Sequence, residues 1–96
     1  MANASLLHLN LRRTYFDQIA QGGKKTEYRD RSAYWARRLE GRAYDLIVFR
    51  NGYGPDVPEM WVQFRGVRKE GSSHSGHYAI RLGKIVKVRR WRTPTE

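Results

Sequence analysis

Between residues 6 and 12 the chain alternates. Leu7, Leu9 and Leu11 share one face, and His8, Asn10 and Arg12 share the other. A period of two with one apolar side predicts a half-buried strand. The period then lengthens: Phe16, Ile19 and Ala20 draw one apolar stripe along a short helix over roughly 14–21. Thr14 reads as its N-cap, with Asp17 in a capping-box-like position three residues on. Gly22 supplies the stop, where a left-handed backbone ends a helix.

The stretch 26–29 reads as extended. Ser32 is placed to cap a second short helix, with Trp35 and Leu39 on one face and Gly41 ending it. Residues 44–50 are nearly all apolar, which predicts a central strand buried on both faces. The run Asn51-Gly52-Tyr53-Gly54-Pro55-Asp56 is a dense turn signal. Alternation returns over 60–67, with Met60, Val62 and Phe64 inward. A small polar loop spans 71–76. Tyr78, Ile80 and Leu82 alternate next, Gly83 marks a bulge, and 85–88 continues the strand. Arg89, Arg90, Trp91 and Arg92 begin a basic tail with no core pattern.

About five strands and two short helices follow from this pattern, so the fold class is mainly β within α+β. That many strands in one small domain hide their edges best by curling into a small barrel, which the first helix would plug or flank. The 96 residues make one domain, with a core over about 6–88 and a basic tail over 89–96.

Composition narrows the chemistry. With no cysteine, disulfides, thiolate metal sites and cysteine nucleophiles are excluded. No run reaches membrane-span length, and the N-terminus lacks a basic leader pattern, so a soluble cytoplasmic monomer is expected. The formal charge of +10, from 19 Lys and Arg against 9 Asp and Glu, suits an anionic or nucleic-acid-related partner. His74 and His77 lie in a glycine-serine loop whose spacing completes no metal site. No metal and no cofactor is expected, and no phosphate-loop, dinucleotide or Ser-His-Asp pattern occurs.

The densest ionisable chemistry is Gly22-Gly23-Lys24-Lys25-Thr26-Glu27-Tyr28-Arg29-Asp30, directly after the first helix. The glycine pair turns a corner, so these charges stand where an element ends and a cleft can form. Arg29 lies two residues from Glu27 and shares its strand face. The bland reading of the run is a solvated charged surface.

The order strand, helix, Gly-x-Lys-x-x-Glu-x-Arg, barrel resembles the ASCH domain, a relative of the RNA-binding PUA fold. The motif here is Gly22 to Arg29, and the resemblance runs from about Leu6 to Val88. It implies two activities. Many members are presumed RNA binders, some with single-strand ribonuclease activity. Small bacterial members are amidohydrolases that cleave N4-acetylcytidine to cytidine and acetate with a lysine, a threonine and a glutamate. The lysine matches Lys24, with Lys25 as its neighbouring rival. Glu27 stands where the threonine would, and the later glutamate has only Glu70 as a candidate. The resemblance therefore implies a Lys-Glu pair rather than the whole triad.

Metal-free amide hydrolysis needs an activated nucleophile, a stabilised oxyanion and a proton for the leaving amine. Lys24, Glu27 and Arg29 are the candidate catalytic residues, and Asn51, Tyr53 and Glu70 the candidate substrate-binding ones. Tyr53 would stack on a pyrimidine and Asn51 read its polar edge. The expected substrate is a modified pyrimidine nucleoside. The alternative is an RNA-binding module on single-stranded RNA, with 89–92 as a phosphate-contacting or merely solubilising tail.

Overall fold

The alternating leucines form β1 (Leu6–Asn10), and Leu7, Leu9 and Leu11 are all buried. The chain continues through α1 (Arg13–Ala20), β2 (Thr26–Asp30), α2 (Ala33–Leu39), β3 (Leu46–Arg50), β4 (Glu59–Glu70) and β5 (His77–Arg89). This computed structural model describes residues 4–72 and 74–94. Residues 1–3, Ser73 of the polar loop, and Thr95 and Glu96 of the tail lie outside the described residues.

The five strands make one sheet in the order β1-β3-β4-β5-β2, curled into a half-barrel. The fold is mainly β with two short helices, as the pattern implies. β1 and β3 run parallel, and the other neighbours are antiparallel. A parallel pair requires a long crossover, and α1, β2 and α2 together supply it. The crossover carries β2 to the far edge, so β1 and β2 are the two edge strands facing each other across the opening.

Ile47, Phe49, Met60, Val62, Tyr78 and Ile80 join the leucines on the concave face. Phe16 and Ile19 of α1 and Leu39 of α2 close over them. Burying side chains of this size contributes about 1.5–3 kcal/mol each. β3 is buried on both faces at its centre, where Ile47, Val48 and Phe49 are all buried.

Three details differ from the sequence reading. α1 begins at Arg13, not Thr14, and its N-cap Arg12 makes no side-chain cap. Asp17 is engaged elsewhere, accepting from Arg13 Nε at 2.8 Å and from the Trp91 indole at 2.8 Å. The i,i+4 pair with Arg13 draws that residue into the helix. β4 and β5 are also longer than their alternation suggests, at 12 and 13 residues. Register shifts break their period between Trp61 and Val67. Gly83 lies in this irregular stretch, where a Cβ would come 2.6 Å from Arg65 Nε. Finally, the tail does not begin free. Arg89 pairs with Glu59, and Trp91 packs against the core beside α1. A large apolar ring finds cover there that a charged pattern hides.

The Ser32 cap is present, its hydroxyl accepting from Trp35 N at 3.2 Å. Beyond α2, Tyr78 donates a short hydrogen bond to Glu40, tying β5 to the end of that helix. Among the described residues no helix is long and apolar enough to cross a membrane.

Candidate functional site

The turn after α1 is built by its backbone. Gly22 takes φ +87°, a left-handed conformation that glycine adopts without steric cost. Gly23 N and Lys24 N then both donate to Gln18 O, at 2.9 and 3.0 Å. The chain therefore enters β2 with Lys24 at a fixed place. In β2, Glu27 lies opposite Ile80 and Arg29 opposite Tyr78. Ile80 and Tyr78 are buried on the concave side, so Glu27 and Arg29 point there too.

Among the described residues Glu27 is the one charged residue that is buried, at 6% exposed. A lone carboxylate in that position would cost several kcal/mol even after relaxation. Two cations offset the cost. Lys24 Nζ stands 3.4 Å from one carboxylate oxygen, and Arg29 Nη2 stands 2.8 Å from the other. Arg29 Nε donates to the same oxygen at 3.0 Å. Arg29 Nη2 also donates to Asn10 O at 2.9 Å. This contact joins the edge strands β1 and β2 through a side chain where no ladder joins them. Arg29 is therefore committed twice over, to the carboxylate and to the barrel seam.

Aromatic rings surround the charges. Lys24 Nζ lies 5.4 Å from the Tyr15 ring centre and 5.3 Å from that of Tyr28, both within cation–π range. The Arg29 guanidinium lies 4.9 Å from the Trp35 ring. Glu27, Arg29, Asp30, Tyr15, Tyr28 and Arg12 wall a cleft of about 320 Å³ at the seam. That size falls at the low end of the ~300–1,000 Å³ typical of small-ligand clefts. The cluster of one carboxylate and two cations carries a net positive charge, which favours an anion developing beside it.

The candidate residues divide clearly. Lys24, Glu27 and Arg29 come together. Lys25 does not: it is exposed, and the ion pair to Glu27 is made by Lys24. Asn51 turns its amide inward to donate to Leu11 O at 2.9 Å, which anchors the loop after β3. Tyr53 projects from that loop and is 87% exposed, at a neighbouring cleft rather than at Glu27. Glu70 is apart from the cluster. Glu27, Ile80 and Val67 are successive partners on one face, and Glu70, three residues past Val67, faces the opposite side. There it pairs with His77 at 2.9 Å, and His77 packs edge-on to Tyr28. Among the described residues no three His, Asp or Glu side chains gather as a metal-binding group.

Sequence reasoning missed Tyr15, Tyr28, Asn10 and Arg12 as walls. Asn10 carried the clearest signal, a small amide on the polar face at a strand end. Its side chain exchanges hydrogen bonds with Gly52, donating to O at 2.7 Å and accepting from N at 3.3 Å.

Asp17, Glu40 and Tyr78 titrate away from their ordinary values. The Trp91 indole, donating to Asp17, holds that carboxyl below its ordinary range, with Arg13 adding to the effect. The Tyr78 hydroxyl does the same for Glu40, and Glu40 in turn pushes the Tyr78 phenol up. Comparison of the chain with protein-family models, curated proteins and solved structures finds no match.

Proposed function

We propose that the chain is a PUA-like, ASCH-like domain working as a metal-independent amidohydrolase on the N4-acyl amide of acylated cytidine nucleosides. One observation carries the reading: a buried carboxylate on the wall of an aromatic cleft, with a half-buried ammonium 3.4 Å from it. Glu27 accepts a proton from a water beside it, and that water attacks the acyl carbon. The Lys24 ammonium stabilises the oxyanion that forms, and the net positive cluster adds to this. The C–N4 bond then breaks, and the proton held by Glu27 passes to the departing N4 amine. The products are cytidine and the carboxylic acid, which gives its proton to solvent. Arg29 is a positioning residue, holding Glu27 in place and closing the seam. Tyr15 and Tyr28 offer faces for the pyrimidine. The reading places the protein in the cytoplasm as a monomer.

The test is direct. Purified protein is incubated with N4-acetylcytidine, and cytidine is followed by chromatography, with Lys24→Ala in parallel. Release by the wild type that the variant lacks supports the proposal, and no release overturns it.

A second reading is an RNA-binding module, favoured by the charge of +10, by arginines at 12, 37 and 38 in or beside the two helices, and by Arg50 at the end of β3. Single-stranded RNA affinity that falls steeply with salt, without hydrolysis, would select it.

A further inference from the structure

A second cleft of about 410 Å³ adjoins the first, and the two share Asn10, Arg29 and Trp35 as walls. Its character is different. Tyr34, Trp35 and Tyr53 supply three aromatic rings, and Arg29, Arg50 and His8 supply cations or hydrogen-bond donors. Val48, 2% exposed, forms its floor. Among its described lining residues none is acidic. The nearest acid to Arg50 is Glu59, 3.5 Å from Nε and outside the cleft.

The backbone that bears these aromatic positions is held before any ligand arrives. The loop bearing Tyr53 is pinned to the end of β1 by the Asn10–Gly52 exchange and by Asn51 donating to Leu11 O. Arg50 adds a hydrogen bond to Gly54 O. Tyr34 and Trp35 meet edge to face at 4.9 Å on α2. The exposed Tyr53 lines the cleft with an aromatic pair whose rings already carry Arg38 (3.8 Å, on Tyr34) and Arg29 (4.9 Å, on Trp35), so the Tyr53 ring is the open stacking face. Flat π-faces together with cations match a nucleobase followed by a phosphate. An acidic peptide would use the cations and leave the rings unexplained.

We infer that this second cleft seats the base and phosphate of a nucleotide adjoining the cytidine, so the preferred substrate is a short single-stranded chain and not the free nucleoside. The inference rests on reading the Glu27 cleft as the cytidine site. Stacking places the neighbouring base on Tyr53, beside Tyr34 and Trp35, and the linking phosphate passes Arg29 and Arg50.

The experiment measures binding apart from hydrolysis. Isothermal titration calorimetry at physiological salt compares cytidine with the dinucleotides cytidylyl-adenosine and adenylyl-cytidine. The probes are wild type, Tyr53→Ala and Tyr34→Ala. Stacking on an aromatic side chain contributes about 5- to 150-fold in affinity. One dinucleotide is therefore expected to bind at least about tenfold tighter than cytidine, with the advantage largely lost in both variants. Circular dichroism confirms that each variant is folded. Equal affinities for all three ligands would overturn the inference. So would an advantage that survives both substitutions, because the phosphate alone would then account for it. Dinucleotide preference without any N4-acetylcytidine cleavage supports the subsite and counts against the amidohydrolase reading. Nucleoside cleavage without dinucleotide preference does the reverse.

Discussion

Lys24→Ala and Glu27→Gln remove the two halves of one ion pair, yet the structure predicts unequal consequences for folding. Without Lys24, the Glu27 carboxylate keeps Arg29 at 2.8 Å. The lost contact is a charge-assisted one at 3.4 Å, and the Lys24 side chain is 16% exposed. A loss of about 1–2 kcal/mol follows, between the values for exposed and buried charged pairs. In a domain of this size that lowers the melting temperature by roughly 5–15 °C. Glu27→Gln is worse, because two half-buried cations then face each other without an anion. Breaking a buried pair in this way costs about 3–5 kcal/mol. Catalysis should not follow the same order. Either variant removes a proton-handling or oxyanion-stabilising group, so each should lose about 10²- to 10⁴-fold in kcat/KM. The assay is N4-acetylcytidine turnover and thermal melting on the same preparations. Lys25→Ala is the control, exposed and outside the ion pair, expected within about 0.5 kcal/mol of wild type. Equal destabilisation by Lys24→Ala and Glu27→Gln would refute the asymmetry argument. A folded Lys24→Ala enzyme with near-normal kcat/KM would refute the catalytic one.

Arg29→Ala should lower both stability, by about 2–4 kcal/mol, and turnover, because it frees Glu27 and the β1–β2 seam together; unchanged melting would show that the seam does not need it. Tyr78→Phe should flatten the pH profile of stability. Glu40's lowered pKa stabilises the fold above its ordinary value of 4.5, and that contribution is lost as acid titrates the folded carboxylate. The raised Tyr78 pKa stabilises below its ordinary value of 10.0, and that contribution is lost as alkali titrates the folded phenol. The melting-temperature gap between wild type and Tyr78→Phe should thus be widest at intermediate pH and narrow toward both ends; a gap constant with pH contradicts this. Trp91→Ala should cost about 2 kcal/mol by uncovering α1 and removing the donor to Asp17, whereas a freely solvated tail would show no change in melting.

Period and parity carried much of the fold. Leu7, Leu9 and Leu11 needed only their alternation to be placed in the core, and Ser32 needed only its hydroxyl before an apolar face to be placed as a cap. The start of α1 was not legible, because Arg12 caps it without a side-chain bond and Asp17 answers to Arg13 and Trp91. The pairing of Glu27 with Arg29 followed from two-residue spacing on one strand. The choice of Lys24 over Lys25 did not, since it depends on how the Gly22 turn is pinned to Gln18. The face of Glu70 was hidden for a related reason. Its parity relative to Glu27 runs through the bulged β4–β5 ladder, and register shifts there are set by pairing rather than by composition. Trp91 illustrates the reverse failure, a core contact masked by arginines on both sides.

The central claim is that the Lys24–Glu27 pair hydrolyses an acylated cytidine. Release of cytidine from N4-acetylcytidine, by wild type and Lys24→Ala across a range of salt, tests it most directly. The account predicts turnover by the wild type that varies less than about twofold with salt, because a free nucleoside carries no phosphate and releases no counterions. It predicts loss of that turnover in the folded variant. No cytidine at any enzyme concentration, beside single-stranded RNA binding that falls steeply with salt, would contradict it.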